Sequence, residues 1–173
     1  NDDLTGIDAS GSQLAWAVGK NGHFLRTTNG GQTWAYQQAS PVADVETVDF
    51  ADSSTGWAAG ANGNIWHTTD AGVTWTSQPS PTANRLLTLA FADTQHGWAA
   101  GNAGTIVHTT NGGTTWSVQT SGTTVPLNGL FALDTNHAWA VGTAGTILAT
   151  TNGGTTWTPQ PSSTVLTLHD VAF

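Results

Sequence analysis

Cysteine and methionine are both absent from the 173 residues. Without cysteine there is no disulfide, no thiolate nucleophile and no thiolate metal ligand. Cations are nearly missing too: Lys20, Arg26 and Arg85 stand against eleven acids, for a net charge of −8. Three cations cannot build the basic stripe that phosphate-backbone binding requires, which excludes a nucleic-acid function. No apolar run approaches the roughly 20 residues that span a membrane. No basic segment followed by an apolar stretch marks a signal peptide. Charged residues make up only 8% of the chain, against about 25% in an average domain, so its surface is dressed in Thr, Ser, Asn, Gln and Gly. A chain without methionine that begins at Asn1 reads as processed or trimmed. With the low charge, this predicts an exported protein, extracellular, cell-surface or periplasmic.

What is present is a repeat. Trp16, Trp57, Trp98 and Trp139 recur every 41 residues, and so do Trp34, Trp75, Trp116 and Trp157. From Trp98 to Trp116 and from Trp139 to Trp157, 15 of 19 residues are identical. Each unit reads as four short strands. In the second unit these are Val45–Phe50, Gly56–Ala59, Ile65–Thr68 and a strand beginning at Thr74-Trp75, with the glycine-bearing turn Gly60-Ala61-Asn62-Gly63 between the second and third. Four strands separated by turn signals match a propeller blade, and no segment keeps a helical apolar period across the glycines. The expected fold is all-β: a single β-propeller array with blades at about 1–41, 42–82, 83–123 and 124–164 and an extra strand at 165–173.

The third turn is the most specific motif. It reads Thr27-Thr28-Asn29-Gly30-Gly31-Gln32-Thr33-Trp34 in the first unit, and it returns around Asp70, Gly72 and Trp75, around Asn111, Gly113 and Trp116, and around Asn152, Gly154 and Trp157. An Asn or Asp side chain accepts backbone amides there, glycine takes the positive-φ position, and the Trp buries the hairpin. The motif resembles the Asp box of sialidase-type (BNR) propellers. The whole unit is most similar to the propeller family that includes photosystem II stability and assembly factors. That resemblance spans essentially the entire chain and implies a structural box lying away from the ligand face. Asn in three of the four boxes argues against a carboxylate-dependent cation.

Val165–Phe173 falls in phase with the start of the chain, as Leu168, Val171 and Phe173 match Leu127, Leu130 and Ala132. The resemblance implies a ring of about seven blades. Four blades and a spare strand therefore fit either a piece of a longer propeller or an open ring. In the open ring, Leu166, Leu168, Val171 and Phe173 pair with another copy, closing a ring or growing a fibre.

Catalytic constellations fail on inventory. A sialidase-like site needs an arginine cluster and a Tyr–Glu pair, yet the chain has only Arg26 and Arg85, and Tyr36 and Glu46 belong to different blades. Asp8 and Asp49 share one phase and Asp52, Asp93 and Asp134 another, which suits repeated side-chain-to-backbone bonding better than acid–base work. His67 and His108 share a phase, as do His96 and His137. Equivalent positions on adjacent blades lie at least about 10 Å apart and cannot hold one ion. No cofactor or metal is expected. The candidate binding surface is Arg26, Tyr36, Trp66, His67 and His108. Trp66, which replaces Leu25, Val107 and Leu148 of the other units, is better explained as packing than as a sugar platform. The expected function is a non-enzymatic scaffold for protein interaction or assembly. Its rivals are a lectin-like propeller that binds glycans and a self-assembling structural subunit.

Overall fold

The structure is a computed structural model and describes residues 3–173; the first two residues of the expected first blade lie outside it. Blade 1 holds β1 (Leu4–Ser10), β2 (Leu14–Gly19), β3 (His23–Thr27) and β4 (Ala35–Gln38). Blade 2 holds β5 (Val45–Phe50), β6 (Gly56–Gly60), β7 (Ile65–Thr68) and β8 (Thr76–Gln78). Blade 3 holds β9 (Leu86–Phe91), β10 (Gly97–Gly101), β11 (Ile106–Thr109) and β12 (Ser117–Gln119). Blade 4 holds β13 (Leu127–Ala132), β14 (Ala138–Gly142), β15 (Ile147–Thr150) and β16 (Thr158–Pro159). Each blade is a four-stranded antiparallel meander in chain order, as an open propeller array requires. The fourth strand starts after the box tryptophan rather than at it. The amides of Thr33 and Thr74 are bonded to the Asn29 and Asp70 side chains, so the backbone is still in the turn there.

Every innermost strand carries one bulge at the same phase, skipping Thr5, Glu46, Leu87 and Asn128. The bulge drives the inner strand's backbone against the second strand. A Cβ on Gly60 or Gly101 would meet the Asp44 or Arg85 carbonyl oxygen at 2.0 Å, so this phase admits only glycine.

The core lies between the blades. Three apolar clusters bridge the successive blade pairs, centred on Trp16 and Trp66, on Trp57 and Trp116, and on Trp98 and Trp157. Burying one indole removes about 200 Å² from water, on the order of 5 kcal/mol of transfer free energy. An array with 8% charged residues is therefore held by its tryptophans.

The stretch after blade 4 forms no regular strand, yet it sits where the inner strand of a next blade belongs. Asn128 donates to the Leu168 carbonyl at 3.0 Å, as Thr5 of blade 1 donates to Val45 of blade 2. Phe173 lies over Trp139 at 4.6 Å, and the equivalent Phe50–Trp16 and Phe91–Trp57 pairs stack at 3.5 and 3.6 Å. Leu168 also donates its amide to Gly142, and Leu166 accepts from Gly145. Leu166, Leu168 and Phe173 thus engage the chain's own fourth blade; Leu166 and Phe173 still expose most of their side-chain surface.

Candidate functional site

The chemistry of this chain gathers in the seams between blades. Each seam joins a second-strand Trp, a third-strand Arg or His and a fourth-strand Gln of one blade to the box turn of the next. Inside the box, the Thr27 hydroxyl accepts the Gly31 amide at 3.0 Å and donates to Asn29 Oδ1, which accepts the Thr33 amide. Thr68, Thr109 and Thr150 repeat this around Asp70, Asn111 and Asn152. The side-chain position left over explains why Asn and Asp interchange. Asn29 donates Nδ2 to the Thr33 hydroxyl, whereas Asp70 accepts from the Thr74 hydroxyl at 2.6 Å. Those bonds from Thr74 hold the Asp70 carboxyl down at about 2. The box closes on itself and acts as a rigid part.

Its outward carbonyl is the docking point. Trp57 donates its indole N–H to Gly112 at 3.1 Å, and Gln78 donates its amide to the same oxygen at 3.1 Å. Gln78 Oε1 in turn accepts from Trp116 at 3.3 Å. In the next seam Gln119 donates to Gly153 at 2.8 Å and accepts from Trp157 at 3.0 Å, while Trp98 Nε1 is buried without a partner. In the first seam Trp16 donates to Ala71 at 2.7 Å, and Gln37 donates to the Val73 carbonyl.

The third-strand phase makes the seams differ. His67 and His108 lie flat on Trp57 and Trp98, at 4.8 and 4.5 Å, with their Nε2 atoms buried and unpartnered. Burial keeps both neutral at pH 7, lowering His67 and pushing His108 down to about 4. Arg26 occupies the same phase against Trp16, and its Nε is likewise buried and unpartnered. Ala35, Gln37 and Val73 surround it with the aromatic groups Trp16, Phe24 and Trp75, enclosing a cavity of about 150 Å³. His67 instead borders a polar cleft with Asp52, Gln78 and Gln95.

The candidate surface residues therefore separate. Tyr36 is 53% exposed, with its ring edge-on to His23. His108 is enclosed. Trp66 is 0% exposed and donates to the Ser40 carbonyl at 3.2 Å, which makes it packing and removes it as a sugar platform. Asp8 and Asp49 each accept an amide from the next inner strand, Phe50 and Phe91. Burial raises both, Asp49 to about 6. Asp52, Asp93 and Asp134 cap their turns through amides two and three residues on. Among the described residues no group of three or more His, Asp or Glu side chains is placed to hold a metal ion. A feature that sequence reasoning missed is the ionic knot of the second seam, where Arg85 meets Asp44 at 3.2 Å and also Glu46. Their separation of about one repeat was the available signal. Among the described residues no helix is long and apolar enough to cross a membrane.

Comparison with known proteins places this geometry. A solved structure described as YCF48 bound to D1 peptide superposes with a TM-score of 0.76 at 22% identity, over 97% of this chain and 56% of that one. The chain thus spans little more than half the length of that protein. YCF48 from Cyanidioschyzon merolae gives a TM-score of 0.60 at 16% identity, covering 97% and 88% of the two chains. A GH74 enzyme from Niastella koreensis gives 0.70 at 22% identity, covering 92% and 30%. At such identities these likenesses speak for the fold alone. No curated protein matches. The family described as photosynthesis system II assembly factor YCF48 matches residues 2–82 and again 75–159, and the chain belongs to that family.

Proposed function

We propose that the chain is a non-catalytic propeller scaffold that binds an extended segment of a partner protein during assembly. The observation that carries this reading is the family match across both halves of the chain. The description of one family structure as bound to a D1 peptide supports it. The carboxylates point the same way: Asp8, Asp49, Asp52, Asp93 and Asp134 are each spent on backbone amides, where hydrolysis needs a pair free to face a substrate. Export to a compartment outside the cytoplasm remains part of the proposal and rests on the low charge. Affinity chromatography on immobilised D1 peptide tests the scaffold reading. Retention that free peptide reverses is the expected result. Flow-through of folded protein, together with sugar release from a polysaccharide, would replace it with a glycosidase reading.

A second reading, self-association, is favoured by the two end faces. Leu4, Ile7 and Trp34 are exposed on blade 1, while the box tryptophans Trp116 and Trp157 are buried by the blade before them. Sedimentation velocity of the 173-residue chain is expected to show species larger than a monomer, reduced by Ile7→Ser with Trp34→Ser. A strictly monomeric mass at about 0.1 mM sinks this reading.

A further inference from the structure

We propose that the cavity between blades 1 and 2 binds an organic carboxylate, with the acid group on Arg26 and its apolar group between Trp16 and Trp75. The chain has three cations, and two are spent: Lys20 pairs with Asp3, and Arg85 with Asp44 and Glu46. Arg26 has no carboxylate partner among the described residues. It instead lines a cavity walled by Trp16, Phe24, Leu25, Val73 and Trp75, with its Nε buried and unbonded. A buried guanidinium nitrogen left without an acceptor at the wall of a cavity breaks the rule that buried polar atoms are paired, and such breaks are expected at functional sites.

Comparison of the seams shows that the space is specific. At the equivalent positions His67 and His108 cover their tryptophans with an imidazole at 4.8 and 4.5 Å. At the same cross-strand position Arg26 stands opposite Trp16 in place of an imidazole, and the cavity of about 150 Å³ lies beside them. A cavity of that size, lined by apolar side chains, accepts a group as large as benzene. An apolar pocket with one forked donor matches an acid carried on an aromatic or branched group, since the guanidinium fork fits a carboxylate in the plane. Such an acid is either a free small molecule or the C-terminal residue of a peptide. Exposed Ala35 and Val73 form the mouth through which either enters.

The probe is phenylacetate, titrated into the full chain and followed by the nine tryptophan indole N–H resonances, with phenylacetamide as the uncharged control. Saturable shifts at Trp16 and Trp75, at least about tenfold weaker for the amide, are expected. Arg26→His is the decisive variant, because the fold already accepts histidine at this phase and the ring would fill the cavity. It should abolish the shifts while leaving the unfolding midpoint near that of the parent, whereas Arg26→Lys should keep a reduced preference for the acid. Gly-Gly-Phe with a free or amidated C-terminus identifies the source: tighter binding of the free-acid peptide than of phenylacetate assigns a protein terminus, and the reverse assigns a small acid. Equal affinity for acid and amide, unchanged binding in Arg26→His, or no shift at about 50 mM phenylacetate each overturn the proposal. The result is independent of D1-peptide retention, so either can fail alone.

Discussion

Half-buried Asp49 and buried His108 are ionisable side chains whose shifts act on stability in opposite directions. Asp49 is raised to about 6 by burial, so it stabilises the fold below about pH 4 and loses that contribution as pH rises through 6. His108 is lowered to about 4, so its contribution is present above about pH 6.5 and lost as pH falls towards 4. Each is worth on the order of 2–3 kcal/mol, and His67 acts weakly in the same sense as His108. The parent protein should therefore show a shallow dependence between pH 6.5 and 4. Asp49→Asn should make it lose stability steeply on acidification, and His108→Gln should make it gain. Urea midpoints measured across this range check both, and identical slopes in all three proteins would refute the assignment. A second expectation concerns the left-handed turn positions. Ala103 and Ala144 hold φ at 56°, where the first two blades use Asn21 and Asn62. Ala103→Asn with Ala144→Asn should raise stability by about 1 kcal/mol, since alanine bears the left-handed cost without a compensating bond. No change in thermal midpoint would contradict this.

At the scale of elements, the seam is a bracket of Trp, box carbonyl and Gln. A Cβ on Gly154 would meet Gln119 Oε1 at 1.9 Å, and its φ of 78° adds strain. Gly154→Ala should cost about 3 kcal/mol, and Gln119→Ala about 1–3 kcal/mol by orphaning the Trp157 indole. Because the clash vanishes with the glutamine, the double variant should be less destabilised than the sum by about 1 kcal/mol or more. Additive denaturation energies would show that the two side chains do not meet. Much of this element-level order is legible in the sequence, since the tryptophan and glycine phases and the box turns lie within one repeat. The fourth strand's start was misplaced because an extended-looking Thr-Trp pair is still bonded into the box. Trp66, named for the candidate surface though better explained as packing, is buried. The Arg26 cavity was not legible, because it is made of residues 16, 26, 72 and 75 from two repeats and of an imidazole that is missing. Phase alignment could name Arg26, but only the seam reveals the space beside it.

At the scale of the molecule, the described residues form four sheets, with helices no longer than single turns, in an array whose apolar clusters bridge the blades. Stability should then travel along the array from neighbour to neighbour. The docked segment ending at Phe173 repeats the contacts of an inner strand, so removing 165–173 should expose Trp139 and weaken blade 4 first. Hydrogen exchange that rises in β13–β16 and stays unchanged in β5–β8 would bear this out, whereas uniform loss would not. The array presents seams and turns and spends the aspartates of its inner strands and turns on backbone amides, the construction that the proposed scaffold function requires. The most direct test of that claim is calorimetric titration of D1 peptide into the folded chain at about 0.15 M salt. The account predicts a saturable isotherm that a scrambled peptide does not reproduce. A flat trace at millimolar peptide, from protein that is folded and soluble, would contradict it.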